Sequence, residues 1–165
     1  MLKFAGILIL IAAGTLAGYM ESHKLAVRVQ QLEAFLQFIC IAETEIRFSA
    51  IPVEQIVQRH GTELKFLQTC ADDCESGVDF FTAWQNSIKF CAKNEGFSES
   101  DLGLLKRFGM GFGASDTEGQ ISHCKLYYQL ILNSLKGARE DKTKKAKLYQ
   151  MFGVFSGMAA AFLLC

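Results

Sequence analysis

Cys70 and Cys74 stand one helical turn apart with His60 upstream, and a metal or redox centre is the chemistry such a set would serve. Structural zinc sites use closer C-x-x-C pairs and two further ligands, so this spacing fits buried helix thiols better. His123-Cys124 puts an imidazole beside a thiol, but neighbours on a helix point about 100° apart. A nucleophilic pair needs contact in space and an orienting third group. Asp72-Asp73 and Glu140-Asp141 read as solvated faces, and His23 and His60 as surface residues. Gly109, Gly111 and Gly113 lack the Lys-Ser or Lys-Thr and the preceding strand of a phosphate-cradling loop. The cysteines (Cys40, Cys70, Cys74, Cys91, Cys124 and Cys165) match no disulfide framework and read as reduced thiols. No nucleophile, base or metal set is recognisable, so neither catalysis nor a cofactor is expected.

The elements that would position these residues are helices. Leu25, Val29, Leu32, Leu36, Ile39 and Ile46 recur at helical spacing, which predicts an amphipathic helix from about Ser22 to Phe48. It should continue without a break from the apolar segment before it. Pro52 suits the first turn of a second helix, which ends at Gly61. Thr62 is the expected cap of a third helix that reaches Glu75 and stops at Gly77. Asp79 caps a fourth, with Phe80, Phe81, Trp84 and Ile88 on its apolar side. Ser98 and Asp101 form a capping box for a fifth through Leu102, Leu105 and Phe108. Glycines 109, 111 and 113 should interrupt it. A last helix begins near Asp116 and carries Ile121, Leu126, Leu130, Ile131 and Leu135. No sustained period-2 alternation occurs, so the expected fold is an all-α bundle.

Both ends of the chain are uncharged and apolar: Phe4 to Met20, and Leu148 to Cys165. Each just reaches the roughly 17–25 residues a membrane helix needs. The expected organisation is an N-terminal transmembrane helix at 1–20, a cytosolic helical bundle at 21–147 and a C-terminal transmembrane helix at 148–165. Arg139, Lys142, Lys144, Lys145 and Lys147 precede the last segment, and Lys and Arg are retained in the cytoplasm. Lys24 and Arg28 after the first segment have the same sense. A signal peptide cleaved near Thr15-Leu16-Ala17 is the rival reading. It would export the middle domain and put the cation cluster on the wrong side. Gly14 and Gly18, like Gly153 and Gly157, are spaced for close packing of membrane helices, against each other or in a homo-oligomer. With 17 basic and 17 acidic residues, the chain lacks the basic surplus of a nucleic-acid binder.

The most distinctive stretch runs from Leu105 to Gln120. Gly109 and Gly113 would share a helix face and permit a close crossing. Phe108 and Phe112 can bury beside them, Asp116 can cap the next helix, and Gln120 follows one turn in. Here the chain resembles the stage III sporulation protein AB family of endospore-forming bacteria. The family pattern is F/L-G-x-x-L/F-G-x-x-D with a Gln a turn later, met by Phe108-Gly109, Phe112-Gly113, Asp116 and Gln120. Ile51-Pro52-Val53-Glu54, Ala83-Trp84 and the basic run Lys144-Lys145-Ala146-Lys147 also fit. Gly111 and Gly119 depart from the pattern and should loosen the corner.

The resemblance implies a non-catalytic platform subunit on the mother-cell side of a channel between mother cell and forespore. It implies a cell-membrane location with the central domain cytosolic. The implied partners are a secretion-type ATPase and other channel subunits, and the implied kinship is with the type II secretion inner-membrane platform protein. Competing functions are a secretion or pilus platform outside sporulation, and a membrane-bound thiol or metal protein.

Overall fold

The computed structural model describes the backbone at residues 2–49, 51–90, 92 and 95–164. Within these, side chains are described at 16, 19, 20, 22–144, 148, 151 and 155. Among the described residues there are six α-helices and no strand. They are α1 (Leu2–Phe48), α2 (Val53–His60), α3 (Lys65–Glu75), α4 (Phe80–Phe90), α5 (Glu99–Gly111) and α6 (Thr117–Leu164). The all-α reading holds, and α1 is unbroken as its periodicity predicts. The chain divides into two compact units: Arg28–Lys136, and Met1–Val27 with Gly137–Cys165.

In the Arg28–Lys136 unit, α1 buries Val29, Leu32, Phe35, Leu36, Phe38, Ile39, Ala42 and Ile46, while Glu33, Gln37, Cys40 and Arg47 stay exposed. Ser22–Phe48 is long and apolar enough to cross a membrane by length and composition. The burial pattern makes it instead the core helix of the bundle, because one face is dry and the other charged. An aromatic cluster joins the helices. Phe35 meets Phe108 edge-on at 5.5 Å between centroids, Trp84 meets Phe66 at 5.7 Å, and Phe108 meets Tyr127 of α6 at 5.5 Å. Each such ring contributes about 1.5–3 kcal/mol by leaving water.

The helix ends depart from expectation in instructive ways. Pro52 is the residue before α2, not its first turn, and its carbonyl accepts the Ile56 N–H at 3.2 Å. Gly61 ends α2 at φ −83°, outside the left-handed region. Glycine is needed there for space, since a Cβ would lie 2.8 Å from the Leu67 Cβ. Thr62 does not cap α3, which begins three residues later at Lys65. Leu64 takes an extended conformation there, and its side chain is buried, so core burial overrides the local capping signal. Gly77, at φ +90°, does end α3, and Asp79 does cap α4 by accepting the Thr82 N–H at 3.1 Å. Phe81, expected on the apolar side of α4, is exposed. In α6 the buried stripe is Ile121, Cys124, Tyr127, Ile131 and Leu135, which leaves Leu126 and Leu130 facing outward.

In the other unit, the described apolar side chains Leu16, Tyr19, Met20, Leu148, Met151 and Phe155 are exposed. Lys144 pairs with Glu140 at 3.3 Å, one turn back on α6. Arg139 and Lys142 also lie on helical, exposed positions. The side-chain placements of Lys145 and Lys147, and the packing faces read at Gly14, Gly18, Gly153 and Gly157, lie outside the described residues.

Candidate functional site

The glycine-rich stretch forms the corner between α5 and α6, and each glycine has a separate reason. Gly109 remains inside α5. The Trp84 indole lies across it so closely that a Cβ would sit 2.1 Å from Nε1. That indole N–H donates to the Leu105 carbonyl at 3.0 Å. Gly111 is the last residue of α5, and the His123 ring fills the space a Cβ would need, at 2.4 Å. His123 Nε2 donates to the Phe108 carbonyl at 2.9 Å, a second bond to an acceptor that also takes the Phe112 N–H at 3.0 Å. Gly111, expected to loosen the corner, therefore admits the imidazole that closes it. Gly113 lies beyond the helix at φ +87°, a conformation that favours glycine. It does not share a helix face with Gly109, contrary to the spacing argument.

Gln120 ties the corner together. Its Oε1 accepts the Gly113 N–H at 2.9 Å, and its Nε2 donates to the Gly111 carbonyl and the Ser115 hydroxyl, both at 3.0 Å. Asp116 accepts the Gly119 N–H at 3.0 Å, as a cap should. Gly119 leaves room for that cap, because a Cβ there would meet the Ser115 Oγ at 2.6 Å. Phe108, Gly109, Phe112 and Gln120 are buried, whereas residues 113–118 form an exposed rim that includes Asp116. Beside the rim lies a cavity of about 310 Å³ lined by Ile46, Pro52, Val53, Gly113 and Gln120.

Sequence reasoning missed a second cluster. Asp101, read only as a capping residue, is fully buried and joins three helices. Arg28 of α1, read as a topology charge, donates to it through Nε at 2.7 Å and through the guanidinium terminus at 3.1 Å. Ser134 of α6 donates to the same carboxylate, and the Ser98 N–H reaches it at 2.9 Å. Burial alone would push the Asp101 carboxyl up; the bonds from Arg28, Ser134 and Ser98 outweigh it and hold the group below the usual carboxylate range. Arg28 and Asp101 are too far apart in sequence for any periodicity to pair them.

The candidate chemical groups are engaged in packing. Burial pushes the Cys124 thiol up to about 12 and raises Cys70 strongly, with Cys74 beside it raised for the same first reason. Thiols so raised are poor nucleophiles at neutral pH. His60 Nε2 lies 3.1 Å from Glu45 Oε1, so its ring is held by α1, and Glu45 is lowered by bonds from Ser49 and His60. His123 serves the corner and packs at a tilt against Phe108 and Tyr127, 5.2 and 4.6 Å between centroids. Among the described residues no cluster of three or more His, Cys, Asp or Glu could hold a metal.

Residues 3–165 match the family model described as stage III sporulation protein AB. The chain belongs to that family. Stage III sporulation protein AB of Bacillus subtilis (strain 168) is 27% identical over 174 residues, covering 99% of each chain. A solved structure of a stage III sporulation protein AB superposes with a TM-score of 0.64. It is 23% identical, covers 72% of this chain and 98% of its own, and at that identity speaks to the fold. The corner at Phe108, Gly109, Phe112, Gly113, Asp116 and Gln120 thus has a physical content: an indole crossing, a left-handed turn and a side-chain amide that bridges the turn to α6.

Proposed function

We propose that this stage III sporulation protein is a non-catalytic, membrane-anchored assembly subunit of the channel complex between mother cell and forespore. Its bundle lies in the mother-cell cytosol against the outer forespore membrane, where a secretion-type ATPase and other channel subunits dock. Helices at both ends of the chain anchor it. The observation that carries this reading is how the side chains are used. Cys70, Cys124, His60 and His123 are engaged in packing and hydrogen bonds inside the bundle. Leu16, Tyr19, Met20, Leu148, Met151 and Phe155 at the chain's two ends are exposed, and large apolar groups left in the open mark a contact with lipid or protein. The cations from Arg139 to Lys147 support a cytosolic bundle.

Reporter fusions after Gly61 and after Cys165 test the topology. A cytosolic signal at Gly61 with an external signal at Cys165 is expected. An external signal at Gly61, or recovery of the full chain in the soluble fraction, overturns the reading. Spore yield with Cys70→Ser and Cys74→Ser tests the non-catalytic role. Near-normal yield is expected, and loss of spores with intact folding would point to thiol chemistry.

A further inference from the structure

A groove of about 510 Å³ runs between α4 and α5 on the outside of the bundle. Gln85, Lys89 and Phe90 line one wall, and Glu99, Leu102 and Lys106 the other. Phe90 is 64% exposed, and the Lys89 ammonium sits 5.2 Å from its ring centroid. Phe81 and Met110, on the same two helices, are also exposed. The charged lining of the groove is two lysines to one glutamate, although the chain as a whole is neutral. Lys89 and Lys106 stand exposed along the groove, with Glu99 as its acidic lining residue.

We propose that the α4–α5 groove seats an acidic amphipathic helix of another protein. The proposal rests on reading the chain as an assembly subunit and adds the surface and the chemistry of its partner. An 11-residue α4 is about 16 Å long, which matches three turns of a docked helix. Apolar side chains at i, i+3 and i+4 of that helix cover Phe90 and Leu102. Its carboxylates face Lys89 and Lys106. A flat anionic lipid surface suits the groove less well, because it cannot fill a concave cleft.

The test places the photo-crosslinking amino acid p-benzoylphenylalanine at Phe90 of the full chain in sporulating cells, and maps the crosslinked residue. A crosslink into a helical, Asp/Glu-rich segment of a different protein is expected. Lys89→Glu with Lys106→Glu should lower its yield about tenfold, and Lys substitutions in the mapped carboxylates should restore it. Both lysines are exposed, so the double variant should keep the parent melting temperature, and its helix content checks that it folds. A crosslink to lipid, to a second copy of this chain or to a segment without acidic residues overturns the proposal. So does no crosslink, or one indifferent to the charge reversal. If Gly61 fusions still report a cytosolic bundle, only the groove assignment falls.

Discussion

Two alanine substitutions in the same helix should act in opposite directions. Gly109→Ala puts a methyl 2.1 Å from Trp84 Nε1 and 2.2 Å from Cδ1. The indole must retreat by roughly 1.5 Å to reach ordinary contact, yet Phe66, Phe80, Phe108 and Phe112 surround it. Overpacking of this kind costs about 1–3 kcal/mol. The retreat also breaks the indole bond to the Leu105 carbonyl, and a buried donor left unpaired costs about 1–3 kcal/mol more. Alanine returns about 1 kcal/mol through helix propensity. The net is a loss of about 3 kcal/mol, or a fall in melting temperature on the order of 10–20 °C for a unit of this size. Gly103→Ala meets nothing nearer than the Arg107 guanidinium at 3.8 Å. It should gain up to about 1 kcal/mol from propensity alone. The chain has one tryptophan, so intrinsic fluorescence during thermal unfolding of the full chain in detergent reads Trp84 directly. Equal shifts for the two variants, or a higher midpoint for Gly109→Ala, would refute the indole crossing.

Other perturbations have equally definite signs. Asp101→Asn leaves the Arg28 guanidinium, 18% exposed, without its counter-charge, and should cost about 2–4 kcal/mol in urea unfolding. Because the folded Asp101 carboxyl is held below its unfolded value, its contribution is complete above the unfolded pKa and disappears as pH falls through the folded one. The parent should therefore lose stability in that acidic window, and the Asn variant should show a flatter curve. Glu95 has the reverse sign. Burial pushes its carboxyl up, outweighing the Phe66 backbone N–H and the nearby Lys65 ammonium that favour the charged form. Stability should thus fall as pH rises from the unfolded value through the folded one, and Glu95→Gln should remove that fall, gaining on the order of 1 kcal/mol at neutral pH. A variant no more stable than its parent at pH 7 would refute the burial argument.

The helices were legible because their signals are local. The period of Leu32, Leu36 and Ile39, the capping box at Ser98 and Asp101, the stop at Gly77 and the cap at Asp79 all act within one or two turns. The start of α3 was not legible, because Leu64 is drawn into the core and Thr62 loses its capping role. Leu126 and Leu130 were assigned to the apolar stripe for a similar reason. Periodicity marks several overlapping faces, and only contact with Phe108 selects the one through Tyr127.

The sequence by itself determined that the chain is helical, neutral and apolar at both ends, and that residues 108–120 are its most distinctive stretch. Those properties follow from composition and short-range spacing. The tertiary structure decided what each residue of that stretch does. It set Trp84 against Gly109, His123 against Gly111 and the Gln120 amide across the turn at Gly113. It also turned Asp101 from a cap into the buried partner of Arg28. Each of these depends on the packing of distant helices, and a chain read in one dimension carries no distance between residues that meet only after folding.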